Sequence, residues 1–159
     1  MAPARFPAYI APVPSPLYNR DILRLAVSVP HLGRLRAPQA RVERASPVCG
    51  SRVTVDVRLD EQGRVAEIAQ EVRSCALGQA SAALMGADVL GKSPEELAAA
   101  RDVLAHYLSG ASEEPGDWPG LLALAPARPY SARHASILLP FEAVAEAARQ
   151  ASQTLPVSG

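Results

Sequence analysis

Between Arg52 and Leu59 the chain alternates strictly, with Val53, Val55, Val57 and Leu59 on one side and Arg52, Thr54, Asp56 and Arg58 on the other. A period of two is the signature of a strand with one apolar face, and no helix can bury such a set on one side. Asp60, Glu61, Gln62 and Gly63 follow with turn chemistry, and Arg64 to Val72 resumes with Val65, Ile68 and Val72 among charged residues. The pair predicts an antiparallel hairpin. A short strand over Arg41 to Ala45 can join it, making a sheet of about three strands whose apolar face needs a cover.

Helical periods surround the sheet. Leu17 to Val29 carries Leu17, Ile22, Leu25 and Val29 near helical spacing and stops at Pro30, and His31 to Gln39 reads as a connection. Cys75 to Leu90, rich in Ala, Leu and Met, is the expected cover of the sheet. Ser93, Pro94, Glu95 and Glu96 mark the start of the next helix as N-cap, first-turn proline and first-turn acids, and Gly110 ends it. Ala111 to Pro129 reads as a loop with one or two helical turns around Leu121 to Ala125, and a last helix is expected over about Phe141 to Ala151. Trp118, Leu121, Leu122 and Leu124 are expected to be buried. The fold class is α+β: a small antiparallel sheet of about three strands covered by helices. One domain over 17–150 is expected, between a proline-rich tail at 1–16 and a short tail at 151–159.

Composition narrows the function. Sixteen basic and sixteen acidic side chains leave no net charge, so there is no long-range field to draw nucleic acid or an anionic membrane. No apolar run reaches the roughly 18 residues of a membrane span, and Met1 to Pro16 holds five prolines where a signal peptide has a continuous apolar stretch. A soluble, cytoplasmic protein is expected. No P-loop, GxGxxG after a strand, GxSxG or HExxH is present, so the chain reads as something other than an enzyme.

Two cysteines are too few for a disulfide framework, and 26 positions are too many for a redox pair. Arbitrary cysteines are small buried hydrophobes, but these two have particular settings. Cys49 lies in Ser46-Pro47-Val48-Cys49-Gly50-Ser51, presented just before a strand. Cys75 lies in Ser74-Cys75-Ala76-Leu77-Gly78, where the hairpin gives way to a helix whose N-terminus favours thiolate. His134, within Ser131-Ala132-Arg133-His134-Ala135-Ser136, is a third soft donor near an element boundary. The alternative for His134 is a solvated or hydrogen-bonded side chain. His31 and His106 are reserves for a fourth ligand.

Pro47-Val48-Cys49-Gly50, followed by Cys75-Ala76-Leu77-Gly78-Gln79-Ala80-Ser81-Ala82-Ala83-Leu84-Met85 and by Gly91-Lys92-Ser93, resembles the iron-sulfur cluster assembly scaffold family of IscU, SufU and the NifU N-terminal domain. Leu17 to Leu23 is similar to the family's first helix, Arg133 to Leu138 to the segment of its last cysteine, and the insertion between Gly110 and Ser131 to the SufU branch. The resemblance implies a scaffold that binds iron or a transient [2Fe-2S] cluster, takes sulfur from a cysteine desulfurase and passes the cluster to apo iron-sulfur acceptor proteins. It implies Cys49, Cys75 and His134 as ligands. Ser51 stands where members carry an aspartate, and Ala135 where they carry a third cysteine. Three ligands suit zinc with one open position, or a cluster completed from outside. Two alternatives accompany the scaffold reading: a zinc-binding, SufU-like sulfur-transfer partner of the desulfurase, and a metal-free member that binds proteins only.

Overall fold

In a computed structural model, which describes residues 16–154, the strands form as the alternation predicts: β1 Ala40–Ala45, β2 Arg52–Leu59 and β3 Val65–Arg73, antiparallel in the order β1-β2-β3. Val55 faces Val42 on one side and Gln70 on the other. In the β2–β3 turn the Asp60 carboxylate accepts the N–H groups of Gln62 and Arg64 at 2.8 and 3.0 Å, and Gly63 takes φ 78°. A side chain there would be strained, which is why glycine holds the place.

Four helices follow: α1 Arg20–Ala26, α2 Ala76–Asp88, α3 Pro94–Ser109 and α4 His134–Thr154. A 3-10 turn at Pro16–Tyr18 precedes α1, so the expected Leu17 to Val29 helix is shorter. Asn19 accepts the Ile22 N–H at 3.0 Å and sets its start, and Pro30 disfavours helical backbone at Val29. The capping box before α3 is complete: the Ser93 hydroxyl accepts the Glu96 N–H and the Glu96 carboxylate accepts the Ser93 N–H. Gly110 ends α3 at φ 86°.

Two expectations about the cover are corrected. It is chiefly α4 that lies along β1 and β2, while α2 packs between α1 and α4. Gly86 of α2 lets the helix approach the connection after α1 and strand β3 closely: a Cβ there would come within 2.7 Å of the Pro30 ring and 2.9 Å of Gln70 Nε2. The last helix also starts at His134 and passes through Pro140, well before Phe141. Proline removes only one N–H from the ladder, and burial of Ile137, Leu139 and Phe141 outweighs that loss. The helix carries Ala151 into the core; residues 155–159 of the expected C-terminal tail, and 1–15 of the N-terminal one, lie outside the described residues.

The polar face of the sheet is covered as well. Chain 31–39 crosses it from the outer edge of β3, where Gly33 N–H meets Gln70 O and Gln70 N–H meets His31 O, to β1, where Gln39 N–H meets Val57 O. Asp56 lies beneath, fully buried, accepting Leu35 N–H at 3.0 Å and a two-pronged contact from Arg41 at 2.6 and 2.8 Å. Burial pushes the Asp56 carboxyl up, but Arg41 and the Leu35 N–H outweigh it and hold the group below its ordinary value.

Gln70 is an unforeseen polar residue on the core face. It donates to Pro30 O and Ala82 O at 3.0 and 3.2 Å and joins sheet to α2. Trp118 is buried as expected, its N–H on Leu84 O at 2.8 Å and its ring edge-on to Phe141 at 5.3 Å; Leu121 and Leu124 are buried and Leu122 is exposed. No helix among the described residues is long and apolar enough to cross a membrane.

Candidate functional site

Three segments meet at one end of the sheet: the β1–β2 turn, the β3–α2 junction and the first turn of α4. Ser46 and Ser51 close the β1–β2 turn, with Ser46 N–H on Ser51 O and Gly50 N–H on Ser46 O, both at 2.9 Å. Gly50 takes φ 74°, a conformation that lets the chain reverse sharply and leaves Cys49 exposed at the tip. Cys75 is the N-cap residue of α2, partly exposed, and its side chain makes no capping bond. Both thiols line an open cleft of about 460 Å³ with Ser51, Arg73, Ser74 and Gln79.

The Cys49 sulfur lies 3.0 Å from Ser136 Oγ and 3.2 Å from Ser51 Oγ, and those two hydroxyls are 3.0 Å apart. Ser74 donates to Ser51 at 3.0 Å. Donation from Ser136 first, then from Ser46 and Ser51, outweighs burial and lowers the Cys49 thiol to about 6. The hydroxyl protons fit that state. In the thiolate, Ser51 and Ser136 each turn their single proton to sulfur, and Ser74 supplies Ser51 in turn. Gly78 makes room for the arrangement: a Cβ there would lie 1.8 Å from Ser74 Oγ and 3.2 Å from Ser136 O.

The sequence-expected donors separate into two groups. Cys49 and Cys75 share the cleft. His134 opens α4, but its Nε2 lies 3.0 Å from both Ala127 O and Arg128 O, so that nitrogen carries a proton shared between two carbonyls. His31 is exposed at φ 61° and His106 is exposed on α3; neither lines the cleft. Among the described residues no three His, Cys, Asp or Glu side chains are grouped as a ready metal site. Sequence reasoning missed Ser74, Ser136, Arg73 and Gln79. For Ser136, 87 positions from Cys49, no local signal exists.

Residues 17–119 match the family model of the NifU-like N terminal domain. Over 80 residues the chain is 32% identical to the iron-sulfur cluster assembly scaffold protein IscU of Streptococcus pyogenes serotype M1. That match covers 50% of this chain and 49% of the relative, so the chain spans about half the length of the curated protein it matches. Among solved structures, a nitrogen-fixing NifU-like protein (N-terminal) from Brucella abortus superposes with a TM-score of 0.83 at 39% identity, covering 89% of this chain and 98% of that one. A protein named for iron-sulfur cluster assembly in the SUF system of Fervidobacterium islandicum AW-1 superposes at 0.72 with 21% identity, over 83% of this chain and 96% of its own, a likeness of fold.

Proposed function

The chain belongs to the NifU-like N-terminal domain family, a family of iron-sulfur cluster assembly scaffolds, and from that premise we propose that it carries a transient [2Fe-2S] cluster as cargo between Cys49 and Cys75. One observation carries the reading: two exposed or half-exposed cysteines line a single cleft, and the hydroxyls of Ser136 and Ser51 lie 3.0 and 3.2 Å from the sulfur of Cys49. Thiolate is the form that binds iron. Sulfur originates from a cysteine desulfurase, and apo iron-sulfur proteins receive the product.

Two thiolates are half the four that usually hold such a cluster, so the remaining positions are filled from outside and the cargo leaves by ligand exchange. His134 keeps its Nε2 proton on the Ala127 and Arg128 carbonyls, which leaves Nδ1 as the nitrogen through which it would join as a third ligand. The chain acts in this reading as a carrier and not as an enzyme. The test is the iron, zinc and acid-labile sulfide content of protein purified without oxygen, beside Cys49→Ala, Cys75→Ala and His134→Ala. Iron and sulfide in equal amounts, lost in both cysteine variants, is the expected result; absence of both after reconstitution sinks the reading. Retention in His134→Ala removes the histidine from the ligand set.

The exposure of Cys49 favours a second reading, sulfur transfer. Its thiolate attacks the outer sulfur of the desulfurase persulfide, the S–S bond breaks, the desulfurase cysteine leaves as thiolate, and Cys49 becomes the persulfide. Zinc without sulfide in the metal assay, with a gain of one sulfur atom on Cys49 by mass spectrometry, distinguishes this outcome.

A further inference from the structure

A second cavity, of about 280 Å³, lies between α3 and the segment at 115–118, and it shares no lining residue with the cysteine cleft. Its floor is apolar, made by Ala99, Ala100 and Val103 of α3, by Pro115 and by the ring of Trp118. The fold fixes the walls. Gly116 lies so close to α3 that a Cβ on it would come within 2.7 Å of Val103 Cγ1, and its φ of 91° is one that glycine adopts without strain. Trp118 is anchored by its N–H on Leu84 O at 2.8 Å. Lys92 is held through its backbone, whose C=O accepts Val65 N–H at 2.9 Å and whose N–H donates to Val89 O at 3.2 Å.

Three charged side chains line this cavity, and two of them lack a partner of opposite charge. Glu96 is committed, accepting Ser93 N–H and the Arg64 guanidinium, both at 2.9 Å. The Lys92 ammonium lies 5.3 Å from the centre of the Trp118 ring and makes no ion pair among the described residues. Asp117 is exposed, and among the described residues its carboxylate has neither an ion pair nor a hydrogen bond. Opposite charges attract, so an ammonium and a carboxylate that stay apart over an apolar floor leave room for a molecule that carries both. The guest's carboxylate takes hydrogen bonds from Lys92, its ammonium donates to Asp117, and its apolar body displaces water from the floor. The volume of about 280 Å³ falls just below the roughly 300–1,000 Å³ of sites for drug-sized ligands, which restricts the guest to a small metabolite. The remaining acid, Glu96, disfavours a dianion such as phosphate.

We propose that this cavity is a binding site for a free α-amino acid with an apolar side chain, held by Lys92 at its carboxylate and by Asp117 at its ammonium. The site is separate from the cysteine cleft, so it stands whether or not Cys49 and Cys75 hold a cluster.

The experiment titrates the full chain with L-leucine and with L-methionine, following the fluorescence of Trp118, the one tryptophan of the chain, with calorimetry as a second readout. It is run at about pH 6, where the ligand amines are charged. N-acetyl-L-leucine, which lacks the ammonium, and L-leucinamide, which lacks the carboxylate, are compared in wild type, Lys92→Gln and Asp117→Asn. The expected result is saturable binding of the free amino acids, about tenfold weaker for either blocked form and about tenfold weaker in either variant. Group and residue also pair off: N-acetyl-L-leucine binds wild type and Asp117→Asn alike, and L-leucinamide binds wild type and Lys92→Gln alike. Asp117 has no partner to lose, so Asp117→Asn melts with the wild type, and Lys92→Arg, which keeps a cation over the ring, recovers affinity. Absence of a saturable response to either amino acid at about 10 mM overturns the proposal, since specific affinities lie below that. So does binding of the blocked forms as tight as that of L-leucine, or an affinity for L-leucine that either variant leaves unchanged.

Discussion

Replacing Ser136 with alanine tests whether the serine hydroxyls set the state of Cys49. In the wild type the thiol is lowered from an ordinary 9.0 to about 6, with Ser136 the foremost cause. At pH 7 a group titrating near 6 is about nine-tenths thiolate, against about one part in a hundred for one near 9. The absolute rate of alkylation is a poor readout, because a Brønsted coefficient of about 0.4–0.5 makes the stabilised thiolate roughly twentyfold less nucleophilic. Most of the gain in population is thereby cancelled. The midpoint of the rate against pH is free of this compensation.

The assay is iodoacetamide labelling of Cys49 in a Cys75→Ser background, quantified by mass spectrometry across the pH range. Reactivity is expected to fall away as pH drops through about 6, since protonation of a group with a depressed value occurs only there. Ser136→Ala removes the foremost of the hydroxyl protons directed at sulfur and moves the midpoint up toward 9.0, with the fold checked by thermal melting. A wild-type midpoint above about 8 would refute the reasoning. The sulfur would then be a proton donor in a closed ring with Ser51 and Ser136, each of the three groups giving one hydrogen and taking one. A midpoint that is low in wild type but unmoved in Ser136→Ala would also refute it.

Three further outcomes follow from the packing. Asp56→Asn loses the charged pair with Arg41, and is expected to cost about 2 kcal/mol, read as a lower urea midpoint; since Asp56 sits below its ordinary value, the wild-type advantage persists at neutral pH and disappears as pH falls through that lowered value. Gly78→Ala gains about 1 kcal/mol of helix propensity but forces a Cβ onto Ser74, so a net loss of stability and a higher Cys49 midpoint are expected; a rise in melting temperature with an unchanged midpoint contradicts the packing. Trp118→Phe gives up the bond to Leu84 O and is expected to lower the melting temperature by about 2–4 °C, for a cost of about 1 kcal/mol, seen by calorimetry because the chain has one tryptophan.

Features written within a few residues of one another were legible in the chain. The alternation through β2, the Asp60 to Gly63 turn, the Ser93 to Glu96 cap and the Gly110 stop each depend on neighbouring backbone groups, and the structure reproduces them. The settings of Cys49 and Cys75, at a turn before a strand and at a helix start, are of the same kind. The family was legible as well, since it is carried by short runs around those cysteines.

What tertiary structure decided is the environment that distant segments create. A period of two tells which face of β2 is apolar and nothing about what lies on the other, so the burial of Asp56 beneath chain 31–39 was out of reach. The start of α4 turned on whether burial of Ile137 and Leu139 could outweigh Pro140, a comparison that exists only once the sheet is there to bury them. The same dependence governs the site. Two thiols are visible in the chain, but a serine 87 positions from Cys49 acquires its role only when α4 closes over the sheet. Proton donation, charge repulsion and metal ligation all act over a few ångströms of space, and separation along the chain does not encode that distance.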